Sequence, residues 1–263
     1  MTRKPVSLTK SRHYDIRSLL MVITLLLTFV QFAWAAELDR AQVEKLVKDS
    51  SAESPADLVN QDLSGLDLSG IAFRGANMRS VTLNDANLSN ADLSGATLDL
   101  AIAPGVKLSG ANMKGANLFS VVMTGADLSG VDLSGARLGG DFEQASLVDA
   151  NLAGANAAPD MTNQSMGLMN ARFNQADMSN ANLSGADLSR AYLRFADLTG
   201  ANLRDVNFQG ADLSGADFTD ADLTDANLAG ASLNSATFRS IKGRDTIRGL
   251  DAAKDADMAV WDE

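Results

Sequence analysis

ANLSGADLSRAYLRFADLTGANLRDVNFQGADLSGADFTDADLTDANLAG, residues 181–230, returns a large apolar residue at every fifth position. The series extends from Phe173 to Phe238, and alanine stands two residues before each member except Phe208, where the residue is Val206. Upstream the same spacing runs from Leu63 to Leu138, slips by one residue, and continues as Phe142, Leu147 and Leu152. A period of five matches neither the 3.6 of an amphipathic helix nor the 2 of a flat strand. It fits short extended pieces joined by tight turns, with the small and the large apolar residue inward and three residues outward. Gly and Asx at the end of each unit suit the backbone of a corner. Four units close a square turn of about twenty residues, and successive turns stack at ~4.8 Å with their backbone groups paired.

The runs ADLSG, ANLSG, ADLTD and ANLAG resemble the A(D/N)LxX consensus of the pentapeptide-repeat family. The resemblance implies an all-β solenoid, a right-handed quadrilateral β-helix. The repeat is expected over 61–156 and 171–242, about 34 units forming roughly eight coils and a rod on the order of 40 Å. Short helical caps are expected at both ends because a coil cannot stand without neighbours. Segment 36–60 offers Leu38, Ala41, Leu46 and Val47 at helical spacing, and 243–263 offers Leu250, Ala253 and Trp261. Trp261 and its segment either cap the rod or pair two rods end to end as a homodimer.

Residues 1–35 differ in kind. Arg3, Lys4, Lys10, Arg12 and Arg17 precede an apolar stretch, 19–32, and Ala33-Trp34-Ala35. This is the pattern of a cleavable signal peptide, with cleavage expected after Ala35, a periplasmic or secreted protein, and no stable membrane span afterwards. Cleavage removes five of the 22 Lys and Arg and one of the 33 acids, leaving 17 against 32, a net charge of −15. Such a chain repels nucleic acid, and a charged protein partner is expected to be basic.

There is no Cys, and the one histidine, His13, falls in the leader. Thiol, imidazole and transition-metal chemistry are thereby disfavoured. The outward Asp slot alternates with Asn, as in Asp187, Asn202, Asp212 and Asn227, which does not suit a catalytic acid or a calcium column. No catalytic residue, metal or cofactor is expected.

Consensus positions are explained by folding, so departures carry the information. The first is the interrupting loop 157–170, with Met161, Met166 and Met169: either an adaptable contact surface or a packed connection between runs out of register. The second is apolar residues in outward slots, Leu100, Ile102, Phe119 and Val122; Ile102 and Val122, twenty apart, stack one on the other. They mark a protein contact if contiguous, or local repacking near Pro104. The third is Arg172, Arg190, Tyr192, Arg194, Phe195 and Arg204, where Arg172 and Tyr192 share a slot one coil apart and permit a cation–π contact. It is a recognition patch or a ladder that relieves repulsion between Asp columns. These features point to an exported, non-enzymatic protein-binding or scaffold module. The alternative implied by the resemblance is a DNA mimic that inhibits DNA gyrase, as in quinolone resistance.

Overall fold

The computed structural model describes residues 38–159 and 170–262. The expected signal peptide and Met161, Met166 and Met169 lie outside the described residues. From Asp57 onward the chain winds as a right-handed quadrilateral β-helix, the hand favoured for parallel pairing across a connection. The inward residues, small and large alike, form one continuous buried column of Leu, Phe, Met, Val and Ala. No described helix is long and apolar enough to cross a membrane.

Each side of the square presents one residue outward, the Asx-type residue just before the inward Leu. It pairs in parallel with its counterpart a level above and a level below. Face A reads Asp57, Asn77, Thr97, Asn117, Arg137, Asn156, Asp187, Asn207, Asn227, Arg248. Face B begins at Asp62, face C at Asp67 and face D at Ala72. Ten levels stand where eight coils were expected, because Asp57 already pairs with Asn77 and residues 242–262 add a further coil. Nine spacings of ~4.8 Å span about 43 Å.

The alternation of Asp and Asn has a local cause. In both, Oδ1 accepts the backbone N–H two residues on, as Asp197 does from Thr199 (2.9 Å) and Asn182 from Ser184 (3.2 Å). Where the outward residue is Asn, its Nδ2 can also donate one level toward the N-terminus: Asn202 to Asn182 and Asn182 to Asn151, each at 3.0 Å. The outward carboxylates are turn-formers first.

At the N-terminal end a helix, α1 (Arg40–Lys48), starts in a capping box between Asp39 and Gln42. Val43 is its buried residue, with Leu38 and Val47 packed beside it, whereas the expected Ala41 and Leu46 are exposed. Arg40 donates to the carbonyls of Asp67 (2.7 Å) and Ser69 (3.1 Å), acceptors that in later coils receive an N–H from the level before. The helix thus closes the open edge with hydrogen bonds as well as apolar cover.

The C-terminal end corrects the expectation of a helical cap over 243–263. The chain continues as a coil with six-residue sides: Lys242, Arg248, Lys254 and Val260 pair with Asp222, Asn227, Ser232 and Thr237. Three 3-10 turns, Arg244–Thr246, Leu250–Ala252 and Ala256–Met258, make the corners. The preceding coil offers unpaired backbone groups, and an α-helix would leave them unanswered. The inward Leu is replaced by Gly243 and Gly249, where a Cβ would lie 2.4 Å from Thr224 and 2.6 Å from Ala229. Trp261 ends the coil by stacking on Phe238 at 4.4 Å, which stacks on Phe218 at 4.7 Å.

Candidate functional site

Face B brings together departures that are far apart in sequence. Its outward column reads Asp62, Thr82, Ile102, Val122, Asp141, Arg172, Tyr192, Asp212, Ser232, Lys254. The apolar pair Ile102–Val122 and the pair Arg172–Tyr192 are therefore one strip, separated by a single level. Two offsets hide this. Levels 20 residues apart become 19 at Val122–Asp141, and 31 at Asp141–Arg172 where the loop intervenes.

The corners bordering this face are equally distinctive. A corner residue sits at positive φ, a position that favours Gly and Asx. On the two corners away from face B the occupants are Gly, Asn, Asp and Ser alone. The long side chains forced into this conformation are Leu100 (φ 62°), Gln144 (59°), Gln175 (58°), Arg190 (59°) and Phe195 (56°), and every one borders face B. Each carries a conformational cost of order 1 kcal/mol that folding does not require. The signal was legible at every fifth residue, but it has meaning only once the four corners are told apart.

Exposure follows the same geometry. Leu100 (46%), Ile102 (48%), Val122 (38%), Tyr192 (41%) and Phe195 (62%) are the large apolar residues most open to water on the repeat body, while Phe119 is half-buried. The other exposed ones lie on α1 and the terminal coil. The Phe195 ring lies over Gly215, where an added Cβ would come within 2.4 Å of it. Phe119 lies beside Gly139, with the Arg137 guanidinium 4.6 Å from its ring centroid.

Between the two pairs the wall is notched. Strands β1 (Asn117–Val122) and β2 (Arg137–Asp141) pair in parallel with a shift of register between Leu118 and Val121. The unit ending at Phe142 is one residue short, and Gly140 takes the corner at φ 130°. A shallow cleft of about 320 Å³ opens there, lined by Val121, Val122, Gly140, Asp141, Asn170, Arg172 and Tyr192.

The cations are placed differently from a free patch. Arg172 does not stack on Tyr192; its guanidinium donates to the Glu143 carboxylate, which also accepts from Asn174 at 2.7 Å. Those hydrogen bonds, Arg172's first, hold the Glu143 carboxyl below the usual carboxylate range. Arg194 lies 3.5 Å from Asp212 and Arg204 3.4 Å from Asp222. Arg204 borders face D, opposite face B, so it leaves the cluster. Arg190 sits at the corner between faces A and B, Arg194 and Phe195 at that between B and C. Among the described residues no group of His, Cys, Asp and Glu is placed to hold a metal ion.

Eight copies of the pentapeptide-repeat family model match within 83–118, 105–140, 168–205 and 201–239. The chain belongs to the pentapeptide-repeat family. Among solved structures it is similar to HetL, a pentapeptide-repeat protein involved in heterocyst differentiation regulation from the cyanobacterium Nostoc, with 30% identity over 75% of this chain and 87% of that one and a TM-score of 0.36. A pentapeptide-repeat protein of the Arabidopsis thaliana thylakoid lumen is 34% identical over 41% of this chain and 68% of its own, with a TM-score of 0.20. QnrB1, a plasmid-mediated fluoroquinolone resistance protein, is 20% identical over 77% and 94%, with a TM-score of 0.37. No curated protein matches the chain.

Proposed function

We propose that this member of the pentapeptide-repeat family is an exported, non-enzymatic scaffold that binds a protein partner through face B. The observation that carries the reading is the gathering on one face, and its two corners, of exposed apolar residues and of long side chains held in left-handed backbone. A stable monomer gains nothing from that arrangement, whereas a contact surface does. The outward carboxylates of the other faces are occupied in turns and ladders, which argues for structure over catalysis there. The net charge of −15 after cleavage favours a basic partner. Capture from the exported fraction tests the reading. Variants at Phe119/Val122 and at Arg194/Phe195 are expected to lose the same partner, since both pairs border face B. Unchanged partner lists for both would dismiss face B.

One observation favours DNA mimicry as the second reading: Asp177, Asp197 and Asp217 occupy successive levels of face C. Three charges on one face remain sparse beside the one per ~1.7 Å of a duplex. Capture of a DNA-binding enzyme that depends on face C and not on face B would favour it.

A further inference from the structure

Read from either end, the outward column of face B is complementary to itself. Its first five residues are Asp62, Thr82, Ile102, Val122 and Asp141; its last five, in reverse, are Lys254, Ser232, Asp212, Tyr192 and Arg172. Reversal sets Asp62 against Lys254, Thr82 against Ser232, Val122 against Tyr192 and Asp141 against Arg172. Only Ile102 against Asp212 is unmatched, and that carboxylate is already turned to Ser214 (2.6 Å) and Arg194 (3.5 Å).

We infer that face B pairs with the same face of a second copy, the two rods antiparallel about a two-fold axis between Asp141 and Arg172. This rests on the reading of face B as the recognition surface and names an occupant other than a basic partner, one selected by the local charge pattern of the face against the mutual repulsion of two chains of net charge −15. At the axis each copy sets Asp141, and an Arg172 already held by its own Glu143, against Arg172 and Asp141 of the other, so that Arg172 bridges a carboxylate of each chain. The cleft of about 320 Å³, lined by Val122, Asp141, Arg172 and Tyr192, straddles the axis, so the ring of the other copy's Tyr192 lies opposite its Val122 end. A C2 contact has to be self-complementary in this way.

The other faces do not pass the same operation. Reversal of face C sets Asp127 against Asp197, and reversal of face D sets Asp92 against Asp222. Face A matches charge only at Asp57 and Arg248 and carries no apolar residue outward. Parallel pairing of face B would set every charge against itself, including Arg172 on Arg172. The contact is about 43 Å long and about 10 Å wide, roughly 860 Å² over both copies, which is below the size of standard specific interfaces and implies a weak, reversible dimer in the micromolar range.

The absence of cysteine makes the register directly testable. Val122→Cys and Tyr192→Cys proteins, expressed from the full chain and mildly oxidised, are expected to cross-link roughly tenfold more when mixed than either does alone, because the two-fold sets 122 against 192. Val122→Cys protein cross-linking to itself as readily as the mixture overturns the antiparallel register. In sedimentation velocity up to ~200 µM, wild type is expected to show a concentration-dependent dimer. Asp141→Arg or Arg172→Asp alone should weaken it at least tenfold, and the two together should restore it to within about threefold. Circular dichroism confirms that each variant is folded. Wild type that stays monomeric at ~200 µM overturns the pairing. Partner capture from the exported fraction is a separate readout: a monomer whose capture still falls with the face B variants defeats self-pairing and leaves face B as the recognition surface.

Discussion

Faces B and D share one coil and one core, and apart from the notch at Gly140 they differ on the outside. Beneath face D lie Leu183, Leu203 and Leu223, beneath face B Phe173, Leu193 and Leu213, all buried. Outside, face D is Asp and Asn alone from Asp92 to Asp222, with Asn202 donating to Asn182 and Asn182 to Asn151, bordered by small corner residues. Face B interrupts that ladder with Ile102, Val122 and Tyr192 and borders it with Leu100, Arg190 and Phe195. In this solenoid the inward slots answer to core packing and the outward slots to turn formation and level-to-level hydrogen bonds alone. Face D shows what the outside becomes when only turn formation constrains it, so the excess on face B is the part that calls for a function.

The largest expected effect tests whether the notch on face B is built by its backbone. Gly140→Ala should prevent folding or cost more than ~3 kcal/mol, because the new Cβ would lie 2.1 Å from the Val121 carbonyl oxygen. Gly185→Ala, at a corner of face D with φ 65° and no atom within 4 Å of a Cβ, should cost only ~1 kcal/mol. Urea unfolding of the pair decides. Equal costs would mean that the short unit at Phe142 is an ordinary corner. Next, truncation inside should not distinguish the faces. Leu193→Ala and Leu203→Ala, both fully buried, are each expected to cost ~2–5 kcal/mol. A severalfold difference between them would show that the outside and inside of a face are not independent.

The same division explains what could be read from residues alone. Leucine at every fifth position announces the square coil because no other regular structure has that period, and the step of twenty already stacks Ile102 on Val122. The shared face of Ile102 and Tyr192 was not legible. The short unit before Phe142 and the insertion after Ala157 change the step between levels to 19 and then to 31, so slots alike in space drift apart in sequence. At the C-terminus the signal was present in another period. Ile241, Ile247, Ala253 and Ala259 recur every six residues, but LDAAKDA has the composition of a helix and local propensity obscures a pattern that tertiary pairing enforces.

Acid should act on the two faces through different groups. Arg172 and Asn174 on Glu143 at face B, and Thr224 together with Arg204 on Asp222 at face D, hold those carboxyls below the usual carboxylate range. A carboxyl depressed in the folded state contributes stability that is fully present above its unfolded value and is lost as pH falls through its folded value. Stability is therefore expected to be flat near neutrality and to fall as pH drops through and below the carboxylate range. Glu143→Gln and Asp222→Asn should each make that fall shallower, measured as thermal midpoint against pH. A fall unchanged in both variants would remove these ion pairs from the account of acid unfolding.

The smallest effect carries the opposite sign and is the sharpest test of the comparison. Phe195 is 62% exposed and holds φ 56°, so it contributes little burial and bears left-handed strain of about 1–2 kcal/mol. Phe195→Gly relieves that strain but gives the unfolded chain more freedom, which offsets about 0.5–1 kcal/mol of it. The expected outcome is a protein as stable as wild type or more stable by about 0.5 kcal/mol, with weakened partner capture. The matching change on face D, Asn202→Asp, should do the reverse. It deletes the donor to Asn182 Oδ1 and sets a carboxylate against an acceptor, costing about 1 kcal/mol with capture untouched. If Phe195→Gly instead destabilises by more than the face D change, the residue is there to hold the coil together, and the reason for treating its corner as a recognition edge is gone.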